Sequence, residues 1–325
     1  MSKLTTNLSI LLSFALLMLT GCEQNTAEVL PPQGEEPAEV LFSARIADVQ
    51  ISTRTNYTEK TGFALNDKIG LFAWKEENTS ESAYIENSLL VSNAGGSELT
   101  APGQKIYFPY QANSLNLYAY YPYSNTTVSN NLVNIQSELE NIEGYIKDPL
   151  WAKTTIQKTD NPKKATFNFS HRMARLKIYV YKDVEVIEDY QLEDIQVTFY
   201  NKQTGTLNIV TGEIASATAT EEIYTDTYDT GTLSLEETGT PQYDHTILPA
   251  DAISGNSAVK SIVISVSKTD GTPADYTIYN AEADGNTTFI KPSYGKVIRI
   301  NVKFNPSTTA SASLSAWGSD ENLNM

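Results

Sequence analysis

The stretch 165-ATFNFSHRMARLKIYV-180 decides the fold class of this chain. Its first half alternates strictly: Ala165, Phe167 and Phe169 are apolar, and Thr166, Asn168 and Ser170 between them are polar. Its second half alternates in the opposite phase, through Leu176, Ile178 and Val180. Successive side chains of a strand point to opposite faces, so a period of two marks a strand with one buried face. The phase change near Ser170-His171 predicts a bulge or bend.

The same period recurs outward in both directions. Upstream, Val40, Phe42, Ala44 and Ile46 share one face, and further strands are predicted over 68–74, 104–108, 114–121 and 132–136. Downstream come Ile195, Val197 and Phe199, then Leu207 and Ile209 after the turn at Thr204-Gly205. Ile262, Ile264 and Val266 lead into Asp270-Gly271, a strong hairpin signal, with Tyr276 and Ile278 on the return strand. Ile298, Ile300, Val302 and Phe304 form another regular strand. Asn, Gly, Pro and Ser clusters separate the runs, as in a sandwich rather than in βαβ units. The only plausible helices are short, such as Asn141 to Lys147. The turn-forming triplet Asp160-Asn161-Pro162 places a domain boundary between residues 38–160 and 161–325.

The N-terminus carries an address. Lys3 precedes an apolar run too short to span a membrane as a permanent helix, which ends in Leu19-Thr20-Gly21-Cys22. This is the pattern of a bacterial lipoprotein signal: residues 1–21 are removed and Cys22 is acylated. An ordinary secretory peptide with a spare thiol is the alternative. The box sits directly at the end of the apolar run, which favours lipidation. Residues 22–37, with Pro31, Pro32, Gly34 and Pro37, read as a linker. Cys22 is the chain's one cysteine, so no internal disulfide is available and hydrophobic cores must hold the fold. The net charge of -16, with no Lys/Arg cluster beyond the short stretch from Arg172 to Lys177, argues against nucleic-acid binding.

Chemistry is sparsely marked. The two histidines, His171 and His245, belong to no metal or nucleophile motif, and His171 reads as structural. Acidic residues are too plentiful for any one pair to mark glycosidase chemistry. No calcium-loop spacing is met. Tyr118, Tyr120, Tyr121 and Tyr123 cluster around Pro122, and packing is favoured over a carbohydrate platform. The reading is of a protein that is not an enzyme, without cofactor or metal. In the last segment, Ala310, Ala312, Leu314 and Ala316 alternate with serines next to Trp317, after a break at Asn305-Pro306-Ser307. The pattern alone fits pairing with its own domain or with another molecule.

Taken in order, the lipobox, the Pro-rich linker, Val40-Leu41-Phe42-Ser43-Ala44, Thr53-Arg54-Thr55, 66-NDKIGLFA-73, 117-LYAYYPY-123 and 167-FNFSHRMARL-176 resemble the fimbrillin-like lipoproteins of Bacteroidales. These are subunits of type V fimbriae. The resemblance implies an all-β fold of two tandem transthyretin-like β-sandwich domains. It also implies assembly by protease-triggered strand exchange, supporting adhesion. Cleavage after Arg54 would leave Thr55 as the new N-terminus, with Arg45, inside a strand, as runner-up. The strand of Val40, Phe42, Ala44 and Ile46 would be lost. A donor strand from 308–325, carrying Ala310, Ala312, Leu314, Ala316 and Trp317, would fill the groove. The implied setting is a cell-surface fimbrium reached through an outer-membrane lipoprotein precursor. The partners are other fimbrial subunits in a homo- or heteropolymer, the outer membrane through lipid, and a host or bacterial surface ligand. The residues also fit a monomeric surface glycan-binding lipoprotein.

Overall fold

A computed structural model describes residues 37–46, 62–76, 82–125, 128–199, 203–216, 222–227, 232–233, 241–249, 259–268, 271–280, 290 and 292–306. The strands in chain order are β1 (Leu41–Ile46), β2 (Lys68–Lys75), β3 (Ile85–Ser92), β4 (Glu98–Thr100), β5 (Ser114–Tyr121), β6 (Val128–Ser129), β7 (Leu132–Gln136), β8 (Ile146–Lys147), β9 (Leu150–Gln157) and β10 (Lys164–His171). There follow β11 (Ala174–Lys182), β12 (Tyr190–Phe199), β13 (Thr204–Asn208), β14 (Ile214–Ser216), β15 (Glu222–Thr227), β16 (Tyr243–Ile247), β17 (Val259–Lys268), β18 (Ala274–Asn280) and β19 (Val297–Phe304). The described residues contain no helix, and the architecture is all-β.

Seven strands close a barrel in the order β1-β10-β9-β5-β2-β3-β4. Its core takes Ile69 and Leu71 from β2, Leu115 and Leu117 from β5, Ile156 from β9, and Ala165, Phe167 and Phe169 from β10. β2 and β5 are buried on both faces, which explains their nearly unbroken apolar runs KIGLFAWK and SLNLYAYY. Their second faces, Phe72 and Trp74 with Tyr118 and Tyr120, pack on Val133, Ile135, Leu207 and Ile214. Those residues belong to a further sheet, β14-β13-β7-β6, with β8 beside β7. Here β7 pairs antiparallel with β13, from Leu132 opposite Asn208 to Gln136 opposite Thr204. One sheet therefore draws strands from both halves of the chain.

The later strands form a two-sheet sandwich, β16-β11-β19 against β15-β12-β17-β18. Leu176, Ile178 and Val180 of β11 meet Ile195, Val197 and Phe199 of β12, Ile262 and Ile264 of β17, and Ile298, Ile300 and Val302 of β19. Both halves share one device. β1 runs parallel to β10, and β11 runs parallel to β19. The hairpin expected at Asp270-Gly271 joins β17 to β18.

Several expectations are corrected. The phase change after Ser170 does coincide with a bend, at Met173, but the bend separates two strands rather than kinking one. β10 ends at His171, Met173 enters the packing beneath the shared sheet, and β11 starts at Ala174 in a different core. Reversed phase is what a chain needs when it moves from one core to another on its opposite side. The triplet Asp160-Asn161-Pro162 lies in the turn between β9 and β10, neighbouring strands of the barrel. The helix over 141–147 is replaced by a turn and β8. There the Gln136 side chain supplies the backbone's partners: Ile142 N–H donates to Gln136 Oε1 (2.7 Å), and Gln136 Nε2 donates to Ile142 O (3.0 Å). The run 104–108 contributes a single bridge, Tyr107 with Glu39, rather than a strand.

Candidate functional site: the first strand and its slot

β1 is short, but it completes a closed barrel. Val40, Phe42 and Ala44 are buried, and Ile46 packs on the same core half-buried. The Phe42 ring stacks on Phe167, with centroids 6.4 Å apart and planes 4° from parallel. The polar face is matched as closely. Ser43 Oγ lies 3.0 Å from Thr166 Oγ1, and Arg45 Nε donates to Asn168 Oδ1 at 2.5 Å. Parallel register explains both pairs, since Ser43 stands opposite Thr166 and Arg45 opposite Asn168.

The two edges of β1 are unequal. All six residues from Leu41 to Ile46 are in register with β10, from Lys164 to Phe169. Toward β4 the register holds at two positions, Phe42 with Leu99 and Ser43 with Glu98. Ala44 N–H adds a bond to Ser97 O (2.9 Å), and Val40 N–H one to Ile106 O (2.8 Å). Beside this weak seam opens a recess of about 400 Å³, lined by residues 39–42, 98–101 and 104–106 together with Lys164. Leu41 is 48% exposed there. Without β1, the slot between β10 and β4 would bare the Phe167 ring and a row of backbone hydrogen-bonding groups.

Of the residues singled out in the sequence, the structure places Phe42, Ala44 and Ile46 on β1, with Val40 immediately before it and buried in the same core. Arg45 is on the same strand with an exposed side chain, but its backbone is paired in the barrel. Proteolysis favours exposed, unpaired backbone, so this position is protected while β1 is seated. Cys22, Arg54, Thr55, Ala310, Ala312, Leu314, Ala316 and Trp317 lie outside the described residues. The sequence reading missed β4, Leu99 and the recess. Three residues of strand carry no legible period, whereas Ser43 and Arg45 facing Thr166 and Asn168 was a matched polar pattern that could have paired the two strands.

Among the described residues no catalytic arrangement competes with this site. His171 Nδ1 lies 2.9 Å from Asp148 Oδ1, with both side chains buried. His245 Nε2 lies 2.7 Å from Asp226 Oδ2, a bridge between β16 and β15 at the sandwich edge. Tyr118 and Tyr120 are core residues, and Tyr121 packs edge-on to Phe63. Tyr120 Oη donates to Asn87 Oδ1 (2.7 Å) and lies 3.0 Å from Ser124 O. These rings are committed to packing. Among the described residues no group of three or more His, Cys, Asp or Glu side chains could hold a metal.

The chain is 29% identical over 215 residues to a candidate fimbrium subunit, Fim1C, of Bacteroides uniformis, covering 64% of this chain and 67% of the relative. The fold is similar to that of a candidate cell adhesion protein of Bacteroides uniformis, with a TM-score of 0.56 and 19% identity. That match covers 89% of this chain and all of the other. A second such protein, from Bacteroides ovatus, gives 0.55 and 15% over 88% of this chain. At these identities the structures testify to the fold alone. The model of the fimbrillin-like family matches residues 53–317, most of the sequence. The chain therefore belongs to the fimbrillin-like family.

Proposed function

We propose that this protein is a subunit of a surface fimbrium, structural rather than catalytic, and that it polymerises by exchanging β1 for a strand of a neighbouring subunit. The observation that carries the reading is β1 itself. It fills a core position and is hydrogen-bonded along one whole edge, yet it is held at two register positions on the other. Such a strand can be removed without dismantling the rest of the sheet, and the slot it leaves is strand-shaped.

The exchange needs a driving force beyond burial. Val40 and Phe42 each contribute about 1.5–3 kcal/mol on full burial. The donor proposed from the sequence offers Ala310, Ala312, Leu314 and Ala316, whose apolar surface is smaller. Hydrophobic transfer alone therefore favours β1, and irreversible cleavage after Arg54 makes its loss permanent. A lipid on Cys22 would hold the precursor at the outer membrane until that cut, and the assembled fibre would support adhesion to a surface ligand.

The test is N-terminal sequencing of the protein recovered from surface fibres. The expected start is Thr55. Fibres that retain residues 40–46 would refute the exchange of β1. Cys22→Ala is expected to abolish membrane partitioning of the precursor, and Leu314→Asp to abolish polymerisation with the monomer still folded.

A further inference from the structure

β10 presents two rows of side chains to the strand beside it. Its inward row is Ala165, Phe167 and Phe169, all buried in the barrel core. Its outward row is Thr166 and Asn168, both exposed. β1 answers both rows in parallel register. Phe42, Ala44 and Ile46 stand opposite Ala165, Phe167 and Phe169, and Ser43 and Arg45 stand opposite Thr166 and Asn168. Each outward residue of β10 is engaged, Thr166 Oγ1 with Ser43 Oγ at 3.0 Å and Asn168 Oδ1 with Arg45 Nε at 2.5 Å. The outer ladder continues on the next pair of strands, where Thr155 Oγ1 of β9 donates to Asn116 Oδ1 of β5 at 2.5 Å.

The two rows ask different things of a strand that takes the place of β1. The inward row asks for apolar side chains at every second position. Loss of β1 would take away the partners of the Thr166 hydroxyl and the Asn168 carbonyl, so the outward row asks for hydrogen-bonding side chains at the positions between. One such exposed cross-strand pair is weak beside core burial. Its effect is on fit, because a slip of one residue turns every outward side chain into the core. Fit of this kind counts most for a strand whose inward residues are small and lose little area when misplaced. The segment 310-ASASLSA-316 is of that composition, with serine at 311, 313 and 315. If Ala312 or Leu314 takes the place of Ala44 in parallel register, a serine stands opposite both Thr166 and Asn168.

We infer that Thr166 and Asn168 are specificity-determining residues of the slot, and that they select a strand of a second copy of this chain by the hydroxyl groups at its outward positions. The inference rests on the strand-exchange reading above. It adds what separates the right strand from any other strand of equal apolar content. A strand with alanine at its outward positions fills the core side of the slot as well, but it leaves Thr166 and Asn168 to water. Specificity is a difference of affinities, and here the difference lies on the face of β10 that contributes least to burial.

The probe is a labelled synthetic peptide of residues 308–319, titrated into the precursor after brief trypsin treatment. Three peptides are compared: the native sequence, Ser311→Ala/Ser313→Ala/Ser315→Ala, and Leu314→Asp. The triple-alanine peptide is expected to bind about fivefold more weakly than the native one, as two lost cross-strand pairs imply. On a Thr166→Val/Asn168→Leu receiver that difference should vanish, which closes a double-mutant cycle and removes any effect of the alanines on the free peptide. Thr166→Val alone, which keeps shape and strand preference, serves as receiver if the double variant does not match wild type by circular dichroism; the difference should then shrink. Equal binding of the native and triple-alanine peptides to the wild-type receiver, or a difference that persists undiminished on the variant receiver, overturns the inference while leaving strand exchange intact. A Leu314→Asp peptide that binds as tightly as the native one, or a treated protein that binds no peptide, overturns the exchange reading, and the inference falls with it.

Discussion

Phe42→Ala separates a strand that leaves from a strand that stays. In the precursor Phe42 is 6% exposed and stacked on Phe167. Truncating a buried Phe to Ala costs about 3–5 kcal/mol, the spread reflecting how far the site can collapse. The recess beside β1 gives this site room to relax, so we predict the low end, about 3 kcal/mol. That corresponds to a roughly hundredfold change in the folding equilibrium. Phe167→Ala should cost as much or more, since Phe167 is fully buried and meets Phe42 and Phe169. In the assembled fibre the two variants should part. If β1 is exchanged, Phe42 is lost with it, whereas Phe167 would line the groove that receives the donor. Denaturant unfolding of the precursor, with the midpoint read at unchanged slope, gives the first comparison. Resistance of purified fibres to heating in detergent gives the second. The expected pattern is a destabilised Phe42→Ala precursor with wild-type fibres, and both forms destabilised for Phe167→Ala. Fibres weakened equally by both substitutions would mean that β1 is retained, and would falsify the exchange.

Three predictions concern the scaffold. Arg175 and Asp244 form a two-point ion pair (2.6 and 2.8 Å) with the Arg175 side chain 2% exposed, so Asp244→Ala should cost about 3–5 kcal/mol by denaturant unfolding; a near-neutral result would refute the stranded-charge argument. Burial pushes the Tyr120 phenol up to about 12. An unfolded tyrosine titrates near 10, so this contribution is complete below pH ~10 and is lost as pH rises toward 12. Burial also raises Tyr190 and Tyr224, so phenolate absorbance of wild type should show a late-ionising group that includes Tyr120, and Tyr120→Phe should make it smaller; an unchanged late wave would refute the reasoning. The Glu185 backbone N–H holds the Asp183 carboxyl below its usual range, and the Lys268 hydrogen bond does the same for Glu188. Folded values below the unfolded ones mean that this anchoring is present above pH ~4 and fails as pH falls through the depressed values; amide exchange over residues 183–189 should accelerate there, and exchange independent of pH-corrected rate would count against the anchoring.

The all-β class and many of the strands could be read from the sequence, because a strand that buries one face writes its period directly into the residue order. β5 matched its expected limits, β19 showed its inward face as Ile298, Ile300, Val302 and Phe304, and Phe42, Ala44 and Ile46 share β1. β4 was illegible for lack of length, and β9 because its outward residues mix with apolar ones.

What only the tertiary structure decided was which strands share a core. The alternation in 165-ATFNFSHRMARLKIYV-180 was plain, but its phase reversal could not reveal that Phe169 and Leu176 belong to different cores. Nor could local pattern show that β7 and β13, far apart in the chain, form one sheet, or that β1 meets β10 in full and β4 at two positions. Periodicity reports which face of a strand is apolar. The identity of the strand opposite is set by long-range packing and hydrogen bonding, and no local stretch of sequence encodes it.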